Sequence, residues 1–207
     1  MPRISLLVAA GALALLFAAP PARAAYIVNI YQDGANVKAD GEGALNLTGL
    51  RRSFGGEQTN LATFLYSLQG WILLAPGGPI NYGSWLGVTG PSNLGNSGPI
   101  NATNNTFPGI VGVAGSFGQL FVPEFYSGGP LPSGTATWNN QDFTTMGISP
   151  GSYTWTWGQE AEDQKFIINV GNQVPESSSV VLSACGLGFL SLVMWKRKHS
   201  LRLNQTH

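Results

Sequence analysis

Glu124 follows Phe121-Val122-Pro123 and precedes Phe125-Tyr126. A carboxyl held among apolar groups keeps its proton to higher pH and can act as the general acid of a glycosidase, given a second carboxyl such as Asp142 or Glu57. The competing reading is that Pro123 ends a strand and Glu124 faces solvent. It is preferred, because catalysis needs two carboxyls at a set separation that sequence spacing does not encode. The chain is therefore read as non-enzymatic. Tyr153, Trp155 and Trp157 alternate with Thr154 and Thr156, so on a strand the three rings share one face. Turned outward they would form a sugar-stacking platform. Turned inward they are core, the preferred reading, since a fold without disulfides needs the burial that aromatics supply. Glu160, Glu162 and Asp163 offer oxygens to calcium, but the spacing lacks the form of an EF-hand loop and reads as a solvated turn.

Other chemistry is excluded by residue type. The histidines, His199 and His207, follow a basic cluster near the C-terminus, and the single cysteine, Cys185, lies in an apolar run. The segment before that run thus has no imidazole base, no thiol nucleophile and no histidine-based metal site. No metal or cofactor is expected, and no disulfide can staple the domain. Glycine-rich Gly109 to Gly118 lacks the Lys-Ser/Thr ending of a phosphate-binding loop. Residues 25–175 carry four basic residues against nine acidic ones, a net charge of −5. Such a surface repels phosphate backbones, so nucleic acid is not expected as a partner.

The two ends carry transport signals. Arg3 precedes the apolar run Ile4 to Ala19, and Ala22 and Ala24 supply the small residues that signal peptidase requires, predicting a signal peptide over 1–24. At the other end Val174-Pro175-Glu176-Ser177 leads into an apolar span, about 178–195, that stops at Lys196-Arg197-Lys198. Three adjacent cations do not follow leucine and valine into hydrocarbon, so they hold the cytoplasmic side while the upstream chain is exported.

This pairing of signal peptide, Val-Pro-Glu, apolar span and basic stop resembles the PEP-CTERM proteins, exosortase substrates of Gram-negative bacteria, with Pro-Glu-Ser in place of Pro-Glu-Pro. Segments in the body, among them Gly43-Ala44-Leu45-Asn46-Leu47-Thr48-Gly49-Leu50 and Ser149 to Gly158, are similar to a recurrent ectodomain of that family. The resemblance implies cleavage at or near Pro175-Glu176 by an exosortase-like enzyme. It also implies a transient inner-membrane anchor, a final place at the cell surface or in the extracellular matrix, and association with extracellular polysaccharide. It supplies no catalytic residues.

The domain organisation expected is a signal peptide over 1–24, a β-rich ectodomain over 25–173 and a sorting tail over 174–207. Roughly 150 residues suffice for one domain with a real core. Asp33-Gly34 and Asp40-Gly41 interrupt short alternating runs and predict a three-strand meander over Tyr26–Leu50. Leu61, Phe64, Leu65 and Leu68 have helical spacing, whereas Trp71 to Leu74 suits a buried strand. Pro76 to Pro108, dense in Gly, Pro, Asn and Ser, reads as a long loop with one strand near Trp85 to Val88. Further strands are expected within Ile110–Val122 and at Thr135–Trp138, Tyr153–Trp157 and Lys165–Val170. Together they predict an all-β fold, an antiparallel β-sandwich or jelly-roll-like ectodomain.

Overall fold

The structure, a computed structural model, describes residues 25–158 and 164–171. The expected signal peptide, acidic loop and sorting tail lie outside them. Among the described residues no helix is long and apolar enough to cross a membrane.

Among the described residues eleven strands make the fold: β1 (Ala25–Asp33), β2 (Asn36–Gly43), β3 (Arg51–Tyr66), β4 (Trp71–Leu86), β5 (Pro99–Asn101), β6 (Asn104–Asn105), β7 (Val111–Ala114), β8 (Gln119–Pro123), β9 (Gly134–Trp138), β10 (Gly151–Thr156) and β11 (Lys165–Val170). Single 3-10 turns at Ser67–Gln69 and Gly115–Phe117 join β3 to β4 and β7 to β8. A six-stranded sheet runs β10-β11-β1-β2-β9-β6, and a five-stranded sheet runs β5-β3-β4-β7-β8. The all-β expectation is met. The wholly antiparallel one is not, because β1 pairs parallel to β11 from Ala25↔Lys165 to Ile30↔Val170. Alternation of apolar residues reports which face a strand buries and is silent on the direction of its neighbour.

The sheets meet through one core. Tyr26, Val28, Ile30, Trp138, Trp155, Phe166 and Ile168 of the six-stranded sheet pack with Leu65, Ile72, Leu74, Val113, Leu120 and Val122 of the other. Tyr26 is fully buried, stacks on Phe166 at 5.5 Å, and donates its hydroxyl to the Pro132 carbonyl at 2.6 Å. Burial, and then the negative charge of Glu42, push its phenol well above the usual tyrosine range.

Three local expectations are corrected. The meander has two strands: the Asp33-Gly34 turn forms, but Asp40-Gly41 lies inside β2, and Ala44–Leu50 is turn and irregular chain. Gly41 serves packing here, since a Cβ at that position would lie 2.8 Å from the Tyr26 hydroxyl oxygen. Asp40, for its part, accepts hydrogen bonds from Tyr31 Oη and Thr135 Oγ1, each at 2.7 Å. The helical spacing of Leu61, Phe64 and Leu65 belongs to a strand, because register shifts at Leu61/Ala62 and Ala62/Phe64 insert extra residues. Such bulges break the period of two, so Leu61 and Phe64 share one face and Leu65 takes the other. Finally, about half of the expected long loop is sheet. β4 runs on through Pro76-Gly77-Gly78-Pro79 to Leu86, and β5 and β6 follow. Those prolines fall between the β7 partners, Trp71 to Leu74, and the β8 partners, Tyr82 to Leu86, where β4 is open on that side and a missing N–H costs few ladder bonds.

Candidate functional site

The five-stranded sheet closes upon itself. β4 pairs with β7 through its first residues and with β8 through its last, while β7 and β8 pair with each other, so the sheet curls into a half-barrel. Residues that alternate with the main core, Leu73, Ala75, Ala114 and Phe121, point into this curl with Ile110 and form a second small core. Leu61, Phe64, Trp71, Ile80 and Tyr82, all from the same sheet, pack against it.

Rings cover this face in an unbroken chain. Phe54 meets Tyr82 edge-on at 5.9 Å, Tyr82 meets Phe121 at 6.1 Å, and Trp71 stacks on Phe121 at 5.9 Å with an interplanar angle of 11°. Phe64 and Phe117 close on Trp71 edge-on at 4.9 and 6.0 Å. Such contacts contribute roughly 0.5 to 1.5 kcal/mol per pair beyond area burial and hold the rings in fixed orientations. The outermost rings are open to solvent: Phe54 is 46% exposed and Phe117 52%. Beneath them lie two polar atoms without a hydrogen-bond partner, Trp71 Nε1 and the fully buried Ser84 Oγ. Ser84 stands opposite Phe121 in the ladder, so both polar atoms belong to the ring-lined face. The exposed rings at the edges of this face offer flat apolar surface, the kind that takes up the C–H face of a sugar ring.

The residues singled out in the sequence are distributed otherwise. Tyr153, Trp155 and Trp157 do share a face, and it is the interior one. Trp155 is fully buried and Trp157 nearly so. Trp155 Nε1 donates to the Pro91 carbonyl at 3.0 Å and Trp157 Nε1 to that of Asn46 at 2.7 Å. Tyr153 is half-buried, with its hydroxyl on the Ser149 carbonyl at 2.9 Å. No outward platform forms from these three.

Glu124 lies one residue past β8, as the strand-end reading holds, and faces the Arg52 guanidinium at 3.6 Å. Glu57 pairs with Asn81 across β3 and β4, and the Glu124 amide donates to the Asn81 carbonyl from the other side. Glu57, Asn81 and Glu124 thus form a row over three strands, with backbones of the two acids about 10 Å apart, twice the strand spacing. Asp142 is committed elsewhere. Its carboxylate accepts the Thr145 amide at 2.7 Å, which holds its pKa below the usual value, and it lines a depression with Gln32 and Gly34 at the β1–β2 turn. Among the described residues no group of three His, Cys, Asp or Glu side chains can hold a metal ion. Ala22, Ala24, Glu160, Glu162, Asp163, Val174, Pro175, Glu176, Lys196, Arg197 and Lys198 lie outside the described residues.

Sequence reasoning missed the ring-lined face because its members, at positions 54, 64, 71, 82, 117 and 121, have no common spacing. The available signal was Trp71 beginning a run in which every residue is apolar, as expected for a strand buried on both faces. No family model, curated protein or solved structure matches the chain.

Proposed function

We propose that the protein is an exported, C-terminally sorted component of a bacterial cell envelope that binds extracellular polysaccharide without cleaving it. The observation that carries the binding part is the continuous ring chain from Phe54 to Phe117 on the curled sheet, whose two outermost rings are open to solvent. The sorting part rests on the sequence: the signal peptide over 1–24, the Val174-Pro175-Glu176 motif, the apolar span about 178–195 and the basic stop at Lys196-Arg197-Lys198. On this reading signal peptidase cuts after Ala24, the tail holds the chain at the inner membrane, and an exosortase-like enzyme releases it to the cell surface or matrix.

A carboxylate glycosidase is the second reading, and the Glu57-Asn81-Glu124 row favours it. The row sets two acids side by side with backbones about 10 Å apart, twice the strand spacing, and a two-carboxyl mechanism needs both acids beside one sugar. One experiment separates the two. Full-length protein is incubated with a panel of bacterial exopolysaccharides, and both retention and reducing ends are measured. Retention without cleavage, lost in Phe117→Ala at unchanged melting temperature, is the expected result. Reducing-end release that disappears in Glu124→Gln would establish the enzyme instead.

A further inference from the structure

On the far side of β4 from the ring-lined face, Trp85 forms one wall of a groove of about 570 Å³. Its other walls are the Ala44–Thr48 segment and the Tyr126–Gly129 turn. The volume is within the range, about 300 to 1,000 Å³, in which small-ligand sites fall. The walls are pinned to each other. Tyr126 Oη accepts the Leu45 amide at 2.9 Å, and its one proton lies between the carbonyls of Leu45 and Gly129, at 2.8 and 2.7 Å. The floor is fixed by Trp157 Nε1 on the Asn46 carbonyl, and the rim by the Thr48 amide on Asn46 Oδ1 at 3.0 Å. Gly128 takes φ = +121°, a conformation that a Cβ would strain, and has open space above it. The groove is therefore shaped before any ligand arrives, which lowers the ordering cost of binding.

Its lining has no charge. The polar side chains are neutral, those of Asn46, Thr48, Tyr126 and Ser127, beside the half-exposed Trp85 ring. Arg52 and Glu124 are turned to each other instead of supplying the groove with an ion. An indole, the hydroxyls of Thr48 and Ser127, the amide of Asn46 and no ion complement a polyhydroxylated neutral ring. A uronate, phosphate or ammonium ligand would lose hydration without gaining a counter-charge. We infer that this groove binds a neutral sugar residue, as a glycan subsite separate from the ring-lined face. The inference stands on the groove's own geometry, whether or not the aromatic face binds polymer.

The test uses full-length protein and neutral disaccharides of glucose, galactose, mannose and N-acetylglucosamine, followed by titration calorimetry and saturation-transfer NMR. At least one disaccharide is expected to bind saturably, with saturation passing from the protein's aromatic protons to the sugar protons. Trp85→Ala risks the fold, because Trp85 also packs against the core. Ser127→Trp avoids this: Ser127 is exposed, and an indole there fills the groove from its rim. That variant should weaken disaccharide binding at least about tenfold, the equivalent of 1.4 kcal/mol, with unchanged melting temperature. Phe117→Ala should leave disaccharide binding intact, so loss of polymer retention in that variant alone reports on the aromatic face. The inference is overturned by no saturable binding of any disaccharide in the set, by undiminished binding in Ser127→Trp, or by tighter binding of a uronate disaccharide than of the neutral ones.

Discussion

Trp155→Ala should unfold the domain at lower temperature while leaving sugar retention by the folded protein unchanged. The indole is completely buried, meets Phe166 edge-on at 6.2 Å, and gives its N–H to the Pro91 carbonyl at 3.0 Å. Two glycines make room for it: a Cβ at Gly90 would lie 2.5 Å from Trp155 Cδ1, and one at Gly115 would lie 2.9 Å from its Nε1. Main chain stands close on two sides, so the cavity left by truncation cannot readily collapse. The cost then belongs to the usual range for large-to-small core substitutions, about 3 to 5 kcal/mol, and the orphaned Pro91 carbonyl adds to it. Against a net stability of about 5 to 15 kcal/mol this is a large share. For a domain of this size each kcal/mol lowers the melting temperature by about 2 to 4 °C, so a fall of about 6 to 20 °C is expected. Circular dichroism melting measures it, and polysaccharide retention below the transition measures the second half. A fall under about 3 °C together with lost retention would show that Trp155 is a ligand platform and that the assignment to the core is wrong.

Tyr26 predicts an alkaline weakness. Its folded-state pKa is raised, so its contribution to stability is complete below the unfolded value near 10 and is lost as pH rises from there toward the folded one. Melting temperatures between about pH 8 and 11 should fall, and Tyr26→Phe should flatten that fall; an equally steep slope in the variant would refute the assignment. A part of the slope will persist, because burial also raises Tyr126. For the tail, mass spectrometry of mature protein from the native host should find chains ending near Pro175-Glu176. A dominant species that still carries peptides beyond Trp195 would mean a permanent anchor.

The aromatic spacing Tyr153, Trp155, Trp157 was legible as one face of a strand, and so was Lys165–Val170, because short-range alternation depends only on residues two apart. The β1–β2 hairpin was legible from Asp33-Gly34. The same dipeptide type misled at Asp40-Gly41, where glycine is required by the Tyr26 ring packed against it, a neighbour fifteen residues earlier. Proline and glycine in Pro76–Pro79 suggested loop, since nothing local announces that β4 stands there between two partners and has bonds to spare.

By itself the sequence determined the all-β class, the burial of Trp155 and Trp157, and the lack of histidine and cysteine in the body of the chain, and it raised the expectation of sorting signals at both ends. Each depends on composition or on near neighbours. Only the tertiary structure decided that β1 and β11 run parallel, that the five-stranded sheet curls, and that rings from positions 54 to 121 converge on its face. It also brought Trp85 opposite Tyr126 across a groove without charge. The physical reason is common to all of these. Strand pairing and ring contact join residues tens of positions apart, and the free energy that selects them comes from burying the assembled surfaces together, which no local run of residues records.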